Sequence, residues 1–258
     1  MSPVALVTGA ARGIGAATVA ALTADGWTVL AFDRASPDPR LPYAMGTREE
    51  LDAVAASTGA ASFVGDSASA TDMAAAVAFC EQEFTGLDAI VAAAGVIAGG
   101  VPLWEVPIEQ EQAVMEVDLT AALVAARVGI PALLRRAEPR SGRFVAVASA
   151  AATRGLPMLA AYCAAKAGVT GLIRALATEL RGTGVTANAV SPGSTATSIL
   201  DESARLYDLD SADAFAHQQP LARLIDPTEI AAAISWLLSP ASSAVTGVAM
   251  PVDGGLAL

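Results

Sequence analysis

The chain has 258 residues, of which 54% are apolar and only 16% charged, so it is long enough and apolar enough to bury a sizeable core. Its 15 basic and 26 acidic residues give a formal net charge of −11, which argues against a surface for nucleic acid or anionic membranes. Arg127, Pro131 and frequent glycines interrupt the most apolar stretches, and the start of the chain lacks the pattern of a signal peptide, so we expect a cytoplasmic protein without a transmembrane helix.

Short β-branched runs alternate with longer alanine-rich stretches of helical periodicity along the whole chain. Such alternation predicts an α/β fold, namely a single doubly wound Rossmann-type domain over residues 1–258, with a seven-stranded parallel sheet and helices on both faces. The predicted strands cover residues 4–7, 27–32, 61–64, 89–93, 143–148, 185–190 and 248–252. The predicted helices cover residues 14–25, 47–57, 70–84, 108–137, 158–181 and 227–238.

Two segments show no regular periodicity. Residues 35–46 contain three prolines and are expected to form a surface loop. Residues 193–225 mix apolar and acidic side chains between a strand and a helix, and long loops in compact domains are usually functional, so we expect a substrate lid there. Cys80 and Cys163 have neither disulfide nor metal-ligand spacing, so no metal is expected.

A glycine-rich turn follows the first predicted strand and leads directly into a helix. Glycines allow the backbone N–H groups to approach a pyrophosphate, whose charge the helix N-terminus favours. Asp33 ends the second strand, where a carboxylate binds a free 2′-hydroxyl and repels a 2′-phosphate, so NAD is favoured as the cofactor. NADP is the less favoured alternative, because Arg12 and Arg34 could bind a 2′-phosphate. The candidate residues of the turn are Gly9, Arg12, Gly13, Ile14 and Gly15.

Tyr162 and Lys166 are spaced to share one face of a helix. An ammonium beside the phenol favours the phenolate, and so lowers the tyrosine pKa from its ordinary value of about 10 and makes it a usable acid or base. Ser149 follows the fifth strand, at the sheet edge where open α/β folds bind ligands, and is suited to hydrogen-bond a substrate oxygen.

The glycine turn, Ser149, Tyr162-x-x-x-Lys166 and Pro192-Gly193 together resemble the short-chain dehydrogenase/reductase family, in its branch of single-domain enzymes of about 250 residues. The resemblance implies that Tyr162 is the general acid/base, that Lys166 lowers its pKa and holds the nicotinamide ribose, and that Ser149 orients the substrate oxygen. It also implies a homotetramer or dimer. The further cofactor contacts that it implies are Asp66, Ser67, Ala93, Ala94, Gly95, Pro192, Gly193, Thr195 and Thr197.

The sequence departs from the family pattern at two places. The usual Asn-Asn-Ala-Gly is replaced by residues 92–95, Ala-Ala-Ala-Gly, which lacks a structural amide. The family's fourth catalytic residue, an asparagine, is replaced by Asp118. If ionised, Asp118 would stabilise the Lys166 ammonium and oppose a phenolate at Tyr162, so we expect it to change the pH dependence of turnover.

The predicted pocket takes a mainly apolar secondary alcohol or ketone. Residues 94–100, the 41–43 loop and residues 191–195 also resemble a subgroup associated with the redox peptide mycofactocin, which implies tightly held NAD and mycofactocin as electron partner. Residues 191–195 also resemble dihydrodiol dehydrogenases. The alternatives are an NADP-dependent carbonyl reductase and a non-catalytic dinucleotide-binding protein. His217, the single histidine, is given no role. The candidate substrate residues are Trp104, Leu156, Met158, Leu159, Ile199 and Leu200.

Overall fold

The computed structural model describes residues 2–258. Seven parallel strands form one sheet in the order β3-β2-β1-β4-β5-β6-β7. The chain crosses from β3 to β4, on the other side of β1, so the switch point of the topology lies between β1 and β4. This confirms the predicted Rossmann-type sheet. The strands β1 to β7 are Val4–Thr8, Thr28–Asp33, Ala61–Val64, Ala89–Ala92, Arg143–Val147, Thr186–Pro192 and Ala249–Val252.

Helices cover both faces of the sheet. Successive residues of a strand point to opposite faces, and in β1 Val4 and Leu6 pack into one apolar cluster while Ala5 and Val7 pack into another. Both faces are therefore buried, as the continuous apolar runs of the strands require. The α-helices α1 to α8 are Gly13–Ala24, Arg48–Thr58, Ala70–Glu83, Ile108–Met115, Ala121–Leu134, Ala160–Glu179, Ser198–Leu206 and Pro227–Leu238.

The predicted helix over residues 108–137 consists of α4, a π-helical turn at Glu116–Thr120 and α5, which follow one another without a break. By length and composition alone, this stretch could cross a membrane, but half of its most apolar window is buried inside the fold. That burial is typical of the core helix of an α/β protein.

The segment over residues 193–225 is more regular than we expected. It contains α7 and a 3₁₀-helix at Ala212–Gln218, so its interpretation as a loop without secondary structure is wrong. An ion pair between Glu202 and Arg205, three residues apart, supports α7. The mixture of acidic and apolar residues, which concealed the helix in the sequence, is the pattern of a helix with one side on the protein and one in solvent.

Residues 35–46 form a loop without helix or strand, as predicted, but its interior side is packed against the protein. Asp38 is 3% exposed and Leu41 is 6% exposed. Arg40 binds both Asp38 and Glu116, which ties the loop to the π-helical turn. The loop therefore has a defined position beside the sheet edge where β1 and β4 end.

Candidate active site

The carboxyl ends of the strands border a cleft of about 650 Å³. The glycine turn after β1 forms one wall. At Gly9, with φ +68°, an added Cβ would lie 2.7 Å from the Cα of Ala94, so only glycine allows this approach of the turn to the residues after β4. The hydroxyl of Thr8 accepts hydrogen bonds from the backbone N–H groups of Ala93 and Ala94. These bonds join β1 to the segment in which the family's structural amide is absent.

All the residues predicted to contact the cofactor line this cleft. The residues selected from the sequence therefore lie in one cleft, which extends from the glycine turn to the residues after β6. The residues are Gly9, Arg12, Gly13, Ile14, Gly15, Asp33, Arg34, Asp66, Ser67, Ala93, Ala94, Gly95, Tyr162, Lys166, Pro192, Gly193, Thr195 and Thr197.

The charged groups at the end of β2 are held by local bonds. Asp33 accepts hydrogen bonds from the backbone N–H groups of Ala11 and Ala35 at 3.0 and 2.8 Å. Arg34 forms an ion pair with Asp38 at 2.9 Å. Arg40 and Arg34 hold the pKa of the Asp38 carboxyl well below its usual range, so this carboxylate stays charged and stays paired with both arginines.

Ser149, Tyr162 and Lys166 meet in the cleft, as the sequence predicts. Ser149 follows β5 and precedes a short 3₁₀-helix at Ala150–Ala152, whereas Tyr162 and Lys166 lie one turn apart on α6. The Lys166 Nζ atom is 5.7 Å from the centre of the Tyr162 ring and donates a hydrogen bond to the carbonyl of Val147. A hydroxyl, a phenol and an ammonium therefore lie together at the edge of the sheet.

Burial raises the pKa of Tyr162 above its ordinary value. Lys166 acts in the opposite direction, the charge of Asp118 raises the pKa further, and a hydrogen bond from Ser149 lowers it. The sequence prediction named the effect of Lys166 correctly but missed the larger effect of burial, which depends on how closely the tertiary structure encloses the phenol. In the protein alone, Tyr162 is therefore protonated near neutral pH.

Asp118 lies in the π-helical turn between α4 and α5 and is 2% exposed. Its Oδ1 atom is 3.0 Å from Lys166 Nζ and accepts a hydrogen bond from the N–H of Val96. An added Cβ at Gly95 would lie 2.9 Å from the same oxygen, so a larger residue there would disturb the pair. Asp118 thus binds the lysine of the cluster directly.

The charges of this pair affect each other. Burial on its own would lower the pKa of Lys166, but Asp118 and Tyr162 raise it, and the net direction is upward. Burial raises the pKa of Asp118, and Lys166 opposes that change. The ammonium form of Lys166 is therefore the stable one in this cluster.

The substrate side of the cleft is mainly apolar. Leu156, Leu159, Ile199 and Leu200 line it, as predicted. Trp104 and Met158 do not, and for these two residues our prediction is corrected. The Trp104 side chain is 84% exposed in a short 3₁₀-helix, whereas Met158 is 39% exposed and its carbonyl oxygen accepts a hydrogen bond from Gly100.

Sequence reasoning did not single out two side chains near the cleft. The hydroxyl of Tyr43 accepts a hydrogen bond from the N–H of Ile97, and burial raises the pKa of Tyr43. Arg154 lines the substrate side. The one sequence feature that could have indicated Arg154 as a cleft residue is its position between Ser149 and Tyr162.

Known proteins with similar sequences and structures support one family. The family model described as "Enoyl-(Acyl carrier protein) reductase" matches residues 9–257. An uncharacterised oxidoreductase of Mycobacterium tuberculosis is 32% identical over 98% of this chain and 95% of its own length. The cis-4-hydroxycyclohexanecarboxylate dehydrogenase of Sinomonas cyclohexanicum is 36% identical over 98% of this chain and 95% of its own length. The chain belongs to the short-chain dehydrogenase/reductase family.

A solved structure of the same family agrees with this assignment. Carveol dehydrogenase from Mycobacterium avium, solved in complex with NAD, is 30% identical and superimposes with a TM-score of 0.91 over 98% of this chain and 97% of its own. The chain is thus a short-chain dehydrogenase/reductase, and the dehydrogenases among its relatives act on CH–OH groups.

Proposed function

We propose that this short-chain dehydrogenase/reductase transfers a hydride between NAD and a mainly apolar secondary alcohol or ketone, with Tyr162 as the general acid/base. The observation that carries the proposal is the meeting of Ser149, Tyr162 and Lys166 in one cleft, beside an apolar wall. Each side chain has an ordinary structural role when taken alone. Their convergence at the ligand-binding edge of an α/β sheet supports a catalytic role for all three.

In alcohol oxidation, the Ser149 hydroxyl donates a hydrogen bond to the substrate oxygen and fixes its direction. The Tyr162 phenolate accepts the hydroxyl proton at its Oη atom, and the Lys166 ammonium stabilises that phenolate. Ketone reduction reverses these steps, so that Tyr162 donates the proton. Asp118 does not touch the substrate in this mechanism, and it acts by holding Lys166 in place and by setting the charge near Tyr162.

The cleft residues fit a dinucleotide. The glycine turn and the N-terminus of α1 would hold the pyrophosphate, Asp33 the adenosine ribose, and Lys166 the nicotinamide ribose. When bound, NAD supplies the carbon that accepts or donates the hydride.

Two contacts favour NAD over NADP. The Asp33 carboxylate lines the cleft at the end of β2, where it would repel a 2′-phosphate. Arg34 is paired with the buried Asp38, and Arg12 donates a hydrogen bond to the Ala44 carbonyl at 2.6 Å, so both arginines are already engaged. The NADP-dependent carbonyl reductase remains the second candidate function, because these arginines do line the cleft.

On the sequence resemblance, we also propose that NAD is tightly held and recycled in place with mycofactocin as electron partner, and the contacts of the 35–46 loop support the tight binding of NAD. Arg12 of the glycine turn binds Ala44 at one end of this loop, and Tyr43 binds Ile97 beyond β4. The loop therefore connects two walls of the cleft, which favours slow exchange of a bound dinucleotide. Mass spectrometry of the purified protein, under native and then denaturing conditions, tests this: stoichiometric NAD that does not exchange supports it, and an empty or freely exchanging site contradicts it.

The acid/base role is tested with Tyr162→Phe in the NAD-loaded protein. Removal of the hydroxyl should lower single-turnover hydride transfer by about 10²-fold to 10⁴-fold, with folding and NAD binding retained. Equal rates in both proteins would contradict the role of Tyr162. No hydride transfer in either protein, with a broad panel of alcohols and ketones, would favour the non-catalytic dinucleotide-binding protein instead.

We further propose a homotetramer or dimer that packs through the two long helical stretches at residues 108–137, which contain α4 and α5, and 158–181, which contain α6. Leu123 of α5 is 41% exposed, and Trp104 and Ile108 before it are more exposed still. Light scattering of the purified protein tests the proposal, since a monomer at micromolar concentration would contradict it.

A further inference from the structure

The substrate side of the cleft carries one charge that the proposed mechanism does not use. Asp118 and Lys166 belong to the catalytic cluster, and the remaining charged residues of the cleft lie at its adenosine end. Among the residues of 2–258 that line the cleft, Arg154 is therefore the single charged side chain beside the apolar wall. Its neighbours in the cleft wall are Gly155, Leu156 and Leu256.

Two hydrogen bonds place Arg154. Its backbone N–H binds the carbonyl of Ala150 at 2.9 Å, which sets the residue one turn after Ser149. Its Nη1 atom donates to the carbonyl of Leu256 at 2.7 Å, and Leu256 itself lines the cleft and is 8% exposed. The guanidinium is therefore held at the cleft wall near the C-terminal end of the chain.

The rest of this guanidinium is free to bind a ligand. Within residues 2–258, no carboxylate lies within ion-pair distance of Arg154, although ten ion pairs form elsewhere in that range. No hydrogen bond from its Nε or Nη2 atom is found among the same residues. These two N–H groups form a planar fork, the geometry that binds the two oxygens of a carboxylate.

We propose that Arg154 binds a carboxylate on the substrate, so that the substrate is a hydroxy acid or keto acid whose apolar ring or chain separates the two groups. The reacting oxygen then lies at Ser149 and Tyr162, the apolar part lies against Leu156 and Leu159, and the carboxylate lies at Arg154. This inference rests on the proposed function and names the substrate class for the same site.

A carboxylate fits better than a phosphate. One guanidinium neutralises one negative charge, and among residues 2–258 no second cation outside the catalytic cluster lines this side of the cleft. The chain has a net charge of −11, which disfavours a dianionic phosphate without further compensation. Because Arg154 is exposed and already solvated, its contribution to carboxylate binding should be moderate, about fivefold to tenfold in affinity.

Binding of matched ligands to the NAD-loaded protein tests the inference without turnover. The ligands are cyclohexanecarboxylate, its uncharged carboxamide and cyclohexyl phosphate, and their affinities are measured by calorimetry at pH 7. The variants are Arg154→Gln, Arg154→Lys and the control Arg181→Gln, since Arg181 is exposed and does not line the cleft. We expect the native protein to bind the carboxylate about fivefold to tenfold more tightly than the carboxamide.

The preference should disappear in Arg154→Gln, remain in part in Arg154→Lys, and be unchanged in Arg181→Gln. If Arg154→Gln weakens both ligands equally, then Arg154 only tethers the C-terminal residues and the inference is wrong. A native protein without a preference, or with a preference for the phosphate, also overturns it. The proposed function has a separate test, because it requires hydride transfer in the native protein and loss of that transfer in Tyr162→Phe. The binding experiment can therefore contradict the role of Arg154 without contradicting the proposed function.

Discussion

The Oδ1 atom of Asp118 and the Nζ atom of Lys166 lie 3.0 Å apart, and their side chains are 0% and 4% exposed. Lys166 is the single lysine of the chain. The other oxygen of Asp118, Oδ2, is buried and accepts no hydrogen bond from residues 2–258. An ion pair this deep costs much desolvation free energy, and loss of one partner leaves an uncompensated buried charge. The pair makes the cluster neutral, whereas an asparagine at residue 118 would leave it positive.

The first prediction concerns the pH dependence of alcohol oxidation, which requires the Tyr162 phenolate and therefore rises with pH. The charge of Asp118 raises the pKa of Tyr162, so Asp118→Asn should lower that pKa and move the rising part of the kcat profile to lower pH. The control is Glu109→Gln, which removes an exposed charge on α4. An identical profile for Asp118→Asn and the native protein would contradict the coupling.

The second prediction concerns the ammonium itself. Because the chain has one lysine, protein labelled with ¹³C-lysine gives one side-chain signal, and its NMR titration reports the pKa of Lys166 directly. We expect a pKa above the ordinary value in the native protein and a lower pKa in Asp118→Asn, because the carboxylate no longer favours the charged form. A pKa that does not respond to the substitution would show that the ion pair is weak.

The third prediction concerns the redox state of the cofactor. The nicotinamide ring is positive in NAD⁺ and neutral in NADH, so loss of the carboxylate that neutralises Lys166 would leave a positive charge at the proposed nicotinamide site and disfavour the oxidised form. Asp118→Asn should therefore shift the ratio of the two dissociation constants toward NADH by about tenfold, or about 1.4 kcal/mol. Fluorescence titration of NADH and competition by NAD⁺ measure this ratio. If Glu109→Gln changes the ratio as much, the effect belongs to the net charge and not to Asp118.

The fourth prediction concerns the choice between NAD and NADP. Asp33→Ala should raise kcat/KM for NADP relative to NAD by about tenfold, because the carboxylate no longer repels the 2′-phosphate. The change should remain limited, since Arg34 is still paired with Asp38. Steady-state kinetics with both cofactors measure the ratio, and Glu105→Gln is the control for a lost surface charge. An unchanged preference would show that Asp33 does not discriminate between the cofactors.

The fifth prediction compares two helical glycines. An added Cβ at Gly129 of α5 would lie 1.8 Å from the Cδ1 of Ile90 in β4, whereas one at Gly171 of α6 meets no atom within 4 Å. We expect Gly129→Ala to lower the free energy of unfolding by about 1 to 3 kcal/mol and Gly171→Ala to raise it by about 0.5 to 1 kcal/mol. Urea denaturation measures both values. Ile90→Val removes the clashing methyl group, so it should restore part of the loss in a double variant.

Sequence reasoning was most successful where the pattern is local. The β-branched runs predicted all seven strands, because a strand buried on both faces needs continuous apolar residues. The glycine turn was predicted because a glycine cluster between a strand and a helix permits a tight turn, and Gly9 does adopt a positive φ next to Ala94. It was least successful over residues 193–225, where one exposed helical face resembles a polar loop, and at Trp104, whose apolar side chain lies in solvent.

The sequence alone therefore determined the order of the strands and of the α-helices other than α7, the glycine turn and the alignment of Tyr162 with Lys166, because backbone conformation and helical periodicity depend on neighbouring residues. The tertiary structure decided which charges meet. It set the 3.0 Å contact of Asp118 with Lys166, which the family resemblance had implied only as a nearby charge, and it enclosed Tyr162 so that burial outweighs the ammonium. It also left the Nε and Nη2 groups of Arg154 without a partner among residues 2–258. These properties depend on desolvation and on distances between separate elements, which side-chain packing sets and local pattern does not record.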